Sequence, residues 1–258
     1  MHGVLILVNC FKIYSFNCSN SYFKPGRLQN CKIGIGKGPV KNSFHNFCVE
    51  LKNHVFVSPL PDSPYVKPFR LNYTQNGMVK SWDLLEVHDS VAIIIYNKTR
   101  KALVMVKQFR PGKNNYTNFK RLKSTGKIDT SKYPASLGIA LEFCAGIIDK
   151  NLSWDEIARE EVLEECGYNV SVEALELIMK YRSGVGTTGS MQALYYCEVS
   201  DDMKVNQGGG VDDELIDVIE MPIAEAAKIL ASKGPHSCPP SFLFALSWFM
   251  ANKSNKYT

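Results

Sequence analysis

Apolar and polar positions begin to alternate regularly near residue 65. The stretch "FRLNYTQNGMVKSWDLLE" does so on both sides of Asn76-Gly77, a dipeptide that accepts the positive φ angles a two-residue hairpin turn demands. Two further runs, "SVAIIIY" and "KALVMVKQF", flank Asn97-Lys98-Thr99-Arg100 and predict a second strand pair, so an antiparallel platform opens the folded region. A short strand is predicted over Leu141 to Cys144, ending in a glycine turn at Gly146. The period then changes to that of a helix. Ser153 with Glu156 three residues on forms a capping box, Ile157, Ala158 and Val162 supply an apolar face, and Gly167 supplies the stop. A helix is therefore expected from Trp154 to Cys166.

The first 58 residues lack sustained periodicity and read as an extension, followed by the proline-rich linker "SPLPDSPYVKP". Charge sharpens this division. Residues 1–49 carry six Lys or Arg and no acid, whereas the rest of the chain holds 24 basic against 25 acidic residues. The formal charge of +5 thus belongs to the extension, and the near-neutral body gives no general argument for a nucleic-acid partner. The early apolar run "VLILV" is too short to span a bilayer, so no membrane association is expected. The eight cysteines include no CxxC pair and no zinc-like spacing, which favours reduced thiols and a cytoplasmic protein. The basic, acid-free extension also fits a mitochondrial presequence, the alternative location. The expected units are the extension (1–58), a small N-terminal β subdomain (59–87) and the main domain (88–258).

The chemistry is concentrated in "AREEVLEECGY". On the predicted helix Glu161, Glu164 and Glu165 stand at i, i+3 and i+4, so their carboxylates crowd one face and repel one another. A solvated acidic face is the plain explanation. A preceding strand and glycine loop make the other one credible, a fixed oxygen-ligand site for a hard divalent cation such as Mg²⁺, with Mn²⁺ as a substitute. The polar connection from Pro111 to Ala140 carries Lys113, Lys120, Arg121, Lys123 and Lys127, which either meet phosphate or form an ordinary surface loop.

Counting from Gly146 brings Glu161, Val162, Glu164, Glu165 and Gly167 into register with the signature of the Nudix hydrolases, and the chain resembles that family. Two positions depart from the signature: its early glutamate falls on Leu152, and its arginine on Glu160, with Arg159 one position away. Outside the box, "YTQNGMVKSWDLLEVHDSV", "LVMVKQFRPG", "SGVGTTGSMQ", "GGGVDDELIDV" and "LSWFM" resemble, in order, one branch of the family, the animal uridine diphosphate glucose pyrophosphatases. The resemblance implies an α/β/α sandwich around a mixed β-sheet with a small antiparallel N-terminal β subdomain, and a homodimer formed through that subdomain. It also implies hydrolysis of UDP-glucose to UMP and glucose 1-phosphate with Mg²⁺. The metal ligands would be Glu161, Glu164, Glu165 and the Ala145 carbonyl, with Glu165 and Glu214 as catalytic carboxylates.

Substrate contacts are expected from three places. Arg110 offers a guanidinium fork for a diphosphate oxygen, or is an ordinary strand-end arginine. Gly184, Gly186 and Gly189 with Ser190 let backbone N–H groups approach sugar or phosphate, or simply make a turn. Gly208, Gly209 and Gly210 give the loop bearing Glu214 freedom to close. Trp82 is read as a sheet residue rather than a base-stacking one. Two other functions stay open: an ADP-ribose pyrophosphatase, and a nucleotide-sugar-binding module that has lost turnover because Glu160 replaces the box arginine.

Overall fold

The structure, a computed structural model, describes residues 55–60, 62–113 and 128–257. Nearly all of the basic extension, and Lys120, Arg121, Lys123 and Lys127 of the polar connection, lie outside these residues. Strands β1 (Lys67–Gln75) and β2 (Met78–Glu86) form a two-stranded antiparallel ribbon. Its turn is the expected one, with Asn76 at φ 53° and Gly77 at φ 77°.

The remaining strands build a mixed seven-stranded sheet. Along it lie β5 (Ile139–Glu142), β4 (Ala102–Phe109), β3 (Ser90–Asn97), β8 (Ser190–Val199) and β7 (Glu176–Ser183). β6 (Cys144–Ile147) pairs with the first half of β3, and β9 (Ile216–Pro222) with β4. The β3–β8 pairing is parallel and the others are antiparallel.

Alternation along β3 explains the layers. Val91, Ile93 and Ile95 pack beneath helix α1 (Trp154–Cys166), while Ala92, Ile94 and Tyr96 face helices α2 (Ile223–Ala231) and α3 (Pro240–Asn252). Both faces of the sheet are covered, giving the α/β/α sandwich. No helix among the described residues is long and apolar enough to cross a membrane.

Helix α1 begins and ends as its sequence predicts. Ser153 Oγ accepts from Glu156 N and the Glu156 side chain accepts from Ser153 N, completing the capping box. Gly167, at φ 76°, closes the other end by donating to the carbonyls of Leu163 and Val162.

Two expectations are corrected. The predicted strand at Leu141 to Cys144 is two strands broken at Phe143, because β5 pairs with β4 and β6 with β3. Gly146 is not a turn residue: it lies within β6 opposite Val91.

Trp82 lies in the ribbon as expected, yet it is half exposed and its Nε1 donates to the Gly186 carbonyl at 2.8 Å. A backbone bond from Leu85 N to Thr187 O, also 2.8 Å, completes the docking of the ribbon onto the β7–β8 turn.

Candidate active site

Helix α1 lies over β6, and this contact sorts the four glutamates after its first turn into two pairs. Glu161 and Glu165, four residues apart, turn inward and are buried. Glu160 and Glu164 keep about a quarter of their side-chain surface in contact with solvent.

The inner pair is held by the backbone of β6. Ala145 N donates to Glu165 Oε2 at 3.0 Å. The Glu161 carboxylate fills the space in which a side chain at residue 146 would begin, so a Cβ there would collide with it. Gly146 is thus required for close approach, not for a turn. Burial, and then the neighbouring charge of Glu161, push the Glu165 carboxyl well above the usual range. The Ala145 N–H and the Arg110 charge pull the other way without prevailing. Burial likewise raises the Cys144 thiol beside them, so it stays neutral.

The outer pair is held by a cation from the loop that precedes the helix. Lys150 Nζ lies 2.7 Å from Glu160 Oε2 and 3.8 Å from Glu164 Oε1. Arg159, the neighbour of the box-arginine position, lies 4.0 Å from Glu160 with its side chain about half exposed. Sequence reasoning missed Lys150 because the loop conformation, not a fixed spacing, brings it to the helix.

The C-terminal turn of α1 is tied to the glycine loop. Gly209 N donates to Glu165 O at 2.9 Å and Gly210 N to Glu164 O at 3.0 Å, which satisfies carbonyls that a helix end otherwise leaves open. Gly208, Gly209 and Gly210 all have positive φ, so here their conformational freedom serves a fixed cap. The same loop carries Glu214, whose Oε2 accepts from Val211 N at 3.1 Å.

The expected substrate-binding residues are placed as follows. Arg110 extends its fork to Glu142, with Nε at 3.0 Å from Oε1 and Nη2 at 2.8 Å from Oε2. Glu142 is almost fully buried and also accepts from Gln108; its position before β6 gave no sequence signal of this role. Gly184 and Gly189 have positive φ and shape the β7–β8 turn, Gly186 carries the carbonyl that receives Trp82, and Ser190 opens β8 opposite Ser183. Lys113 folds back so that its ammonium meets the Ile139 carbonyl, and burial lowers its pKa.

Among the described residues no three His, Cys, Asp or Glu side chains already stand together as a metal cage. Ala145, Glu161, Glu164 and Glu165 nevertheless offer only oxygen ligands, two of them buried carboxylates, and burial together with the charge of Glu161 makes Glu165 costly to ionise without a cation nearby. Such a donor set suits a hard divalent cation.

Comparison with known proteins agrees with this chemistry. No family model matches the chain. Uridine diphosphate glucose pyrophosphatase of Bos taurus is 38% identical over 202 residues, covering 73% of this chain and 90% of that protein. Its Mus musculus counterpart shows the same identity and coverage. GDP-mannose pyrophosphatase of Cronobacter sakazakii is 33% identical over 144 residues, covering 55% and 65% respectively.

Proposed function

Because the chain belongs to the Nudix hydrolases, we propose that it hydrolyses the diphosphate of UDP-glucose to UMP and glucose 1-phosphate with Mg²⁺. The observation that carries this reading is the inward pair Glu161 and Glu165 on α1, fixed against β6 in a chain whose mammalian relatives are named for that substrate. Glu161, Glu164, Glu165 and the Ala145 carbonyl would hold the cation. Bound there, it would neutralise charge on the diphosphate and lower the pKa of a water so that it gives up its proton more readily.

The chain's own groups do the rest. The Ala145 N–H fixes one oxygen of Glu165, and the cap from Gly209 and Gly210 fixes the backbone beneath Glu164 and Glu165. Glu214 takes the proton of the attacking water, or joins the ligands. Arg110, already ordered by Glu142, presents positive charge beside Glu165. The glycines of the β7–β8 turn with Ser190 border the sugar.

The same reading includes a homodimer. Register places Phe69, Leu71, Trp82 and Met78 on one face of the ribbon, each about half exposed or more. The opposite face is more polar, with Arg70 and Asp83 paired at 2.6 Å and Ser81 bonded to Asn72, although it also carries the exposed Val79 near the turn. An apolar stripe of this kind on a free chain is a surface awaiting cover, and a second copy would supply it. Sedimentation of the purified chain should then give twice the monomer mass.

The decisive experiment incubates pure protein and Mg²⁺ with UDP-glucose, GDP-mannose and ADP-ribose, and identifies products by mass. UMP with glucose 1-phosphate, formed faster than products from the other two, is expected. Faster cleavage of ADP-ribose would replace the substrate assignment, and three intact substrates would leave a binding module.

A further inference from the structure

The cation opposite the outer glutamates lies where no family signature would place it. Lys150 leaves the loop after β6, reaches across to α1, and meets two carboxylates one turn apart, Glu160 at 2.7 Å and Glu164 at 3.8 Å. Two like charges at i and i+4 repel along a helix face, and a lysine between them relieves that repulsion. The two distances are unequal: Lys150 makes its hydrogen bond to Glu160 and stands off from Glu164.

We propose that Lys150 is a built-in counter-cation of the glutamate cluster, stationed by Glu160 beside Glu164, and that it sets how tightly a divalent ion is held there. The inference rests on the reading of Glu164 as a metal ligand. Without an ion, the ammonium offsets the charge of the outer carboxylates. With an ion on Glu164, the same ammonium becomes a like charge a few ångströms away and weakens its hold. Glu160, the residue that occupies the box-arginine position, acts as the tether. It keeps the ammonium from closing fully onto Glu164, so the ligand stays available. In this account the site is tuned toward weaker, exchangeable metal binding, as a residue with half its side chain in solvent can do without disturbing the core.

The test is a titration of the full chain with Mn²⁺ alone, reading free Mn²⁺ by electron paramagnetic resonance, together with melting temperatures in a chelator. Lys150→Met should bind Mn²⁺ roughly threefold to tenfold more tightly, the scale left to a half-exposed, solvent-screened ammonium acting on a divalent ion. It should also melt lower than wild type in the chelator, because the carboxylates have lost their counter-charge. Lys150→Arg should match wild type in both readouts. Glu164→Gln serves as the reference for the site. If Glu164→Gln weakens Mn²⁺ binding while Lys150→Met binds no tighter than wild type, the inference fails and the metal site stands. If Glu164→Gln binds as wild type does, the ligand assignment fails and the inference falls with it.

Discussion

Glu165 and Glu198 are both carboxylates close to the central sheet, and the protein treats them in opposite ways. Glu165 has an N–H from Ala145 but also the charge of Glu161, and burial pushes its pKa well up. Glu198, at the far end of β8, also loses solvation to burial. Hydrogen bonds from Lys256, Tyr257 and Tyr196 with the Lys256 charge overcome that loss and bring it down to about 2. One carboxylate is completed by its own chain. The other keeps a deficit of positive charge that a proton or a cation would relieve. The contrast separates a structural carboxylate from a site carboxylate by what surrounds it, where composition and exposure alone would not.

The strongest way to break this contrast is to neutralise each class in turn. Glu164→Gln keeps the shape of a proposed ligand and removes its charge. Turnover of UDP-glucose should fall at least about a hundredfold, equivalent to roughly 2.7 kcal/mol of transition-state stabilisation. The melting temperature in a chelator should not fall by more than a degree or two, since the site is repulsive when empty. Turnover close to wild type would remove Glu164 from the site.

Gly146→Ala attacks the inner pair from the strand beneath it. The added methyl collides with the Glu161 carboxylate, which must swing away or push β6 from the helix. Turnover should drop by roughly tenfold or more, with stability lowered by about 1–3 kcal/mol. An alanine variant with full activity and unchanged melting would show that Glu161 has room to move.

Glu198→Gln should do the reverse of Glu164→Gln. Turnover stays as in wild type, and the melting temperature falls by about 2–4 °C, the scale of about 1 kcal/mol in a domain of this size. The pH dependence has a definite sign. The folded-state pKa lies below the ordinary value of 4.5, so Glu198 contributes stability above pH 4.5, and that contribution drains away as pH falls toward 2. The wild type should therefore lose more stability than Glu198→Gln between pH 5 and pH 3. Parallel acid-unfolding curves for the two proteins would contradict the assignment.

These features differ in how far the sequence discloses them, and the reason is physical distance along the chain. Helix α1 is legible to the residue, since Ser153, Glu156 and Gly167 act within one turn of its ends. The Asn76-Gly77 hairpin and the β3–β4 pair are legible for the same reason. Gly146 is conspicuous in the sequence, yet its purpose depends on Glu161, fifteen residues later and on another element. The splitting of Leu141 to Cys144 into β5 and β6 depends on which neighbour each half meets. The cap formed by Gly209 and Gly210, the Arg110–Glu142 fork and the Lys150 contact are likewise products of the assembled fold. The carboxylates announce themselves, and the groups that position them do not.

Glu160 gives the smallest and most discriminating prediction. Judged by the signature alone, Glu160→Arg restores a missing residue and should raise turnover about tenfold, about 1.4 kcal/mol in the transition state. The Lys150 contact argues for a smaller effect, because a positive charge already stands beside the cluster, held by Glu160 at 2.7 Å. An arginine at 160 would meet the Lys150 ammonium instead of pairing with it, and two cations would then crowd Glu164. At saturating Mg²⁺ the change in turnover should stay within about twofold, as befits a half-exposed ion pair worth less than about 1 kcal/mol. The Mg²⁺ concentration needed for half-maximal rate should rise instead. A clear gain in turnover would mean that the box position itself, not the charge beside Glu164, governs catalysis. In the double variant Lys150→Met with Glu160→Arg, the single positive charge returns to the helix and the half-saturating Mg²⁺ concentration should move back toward wild type.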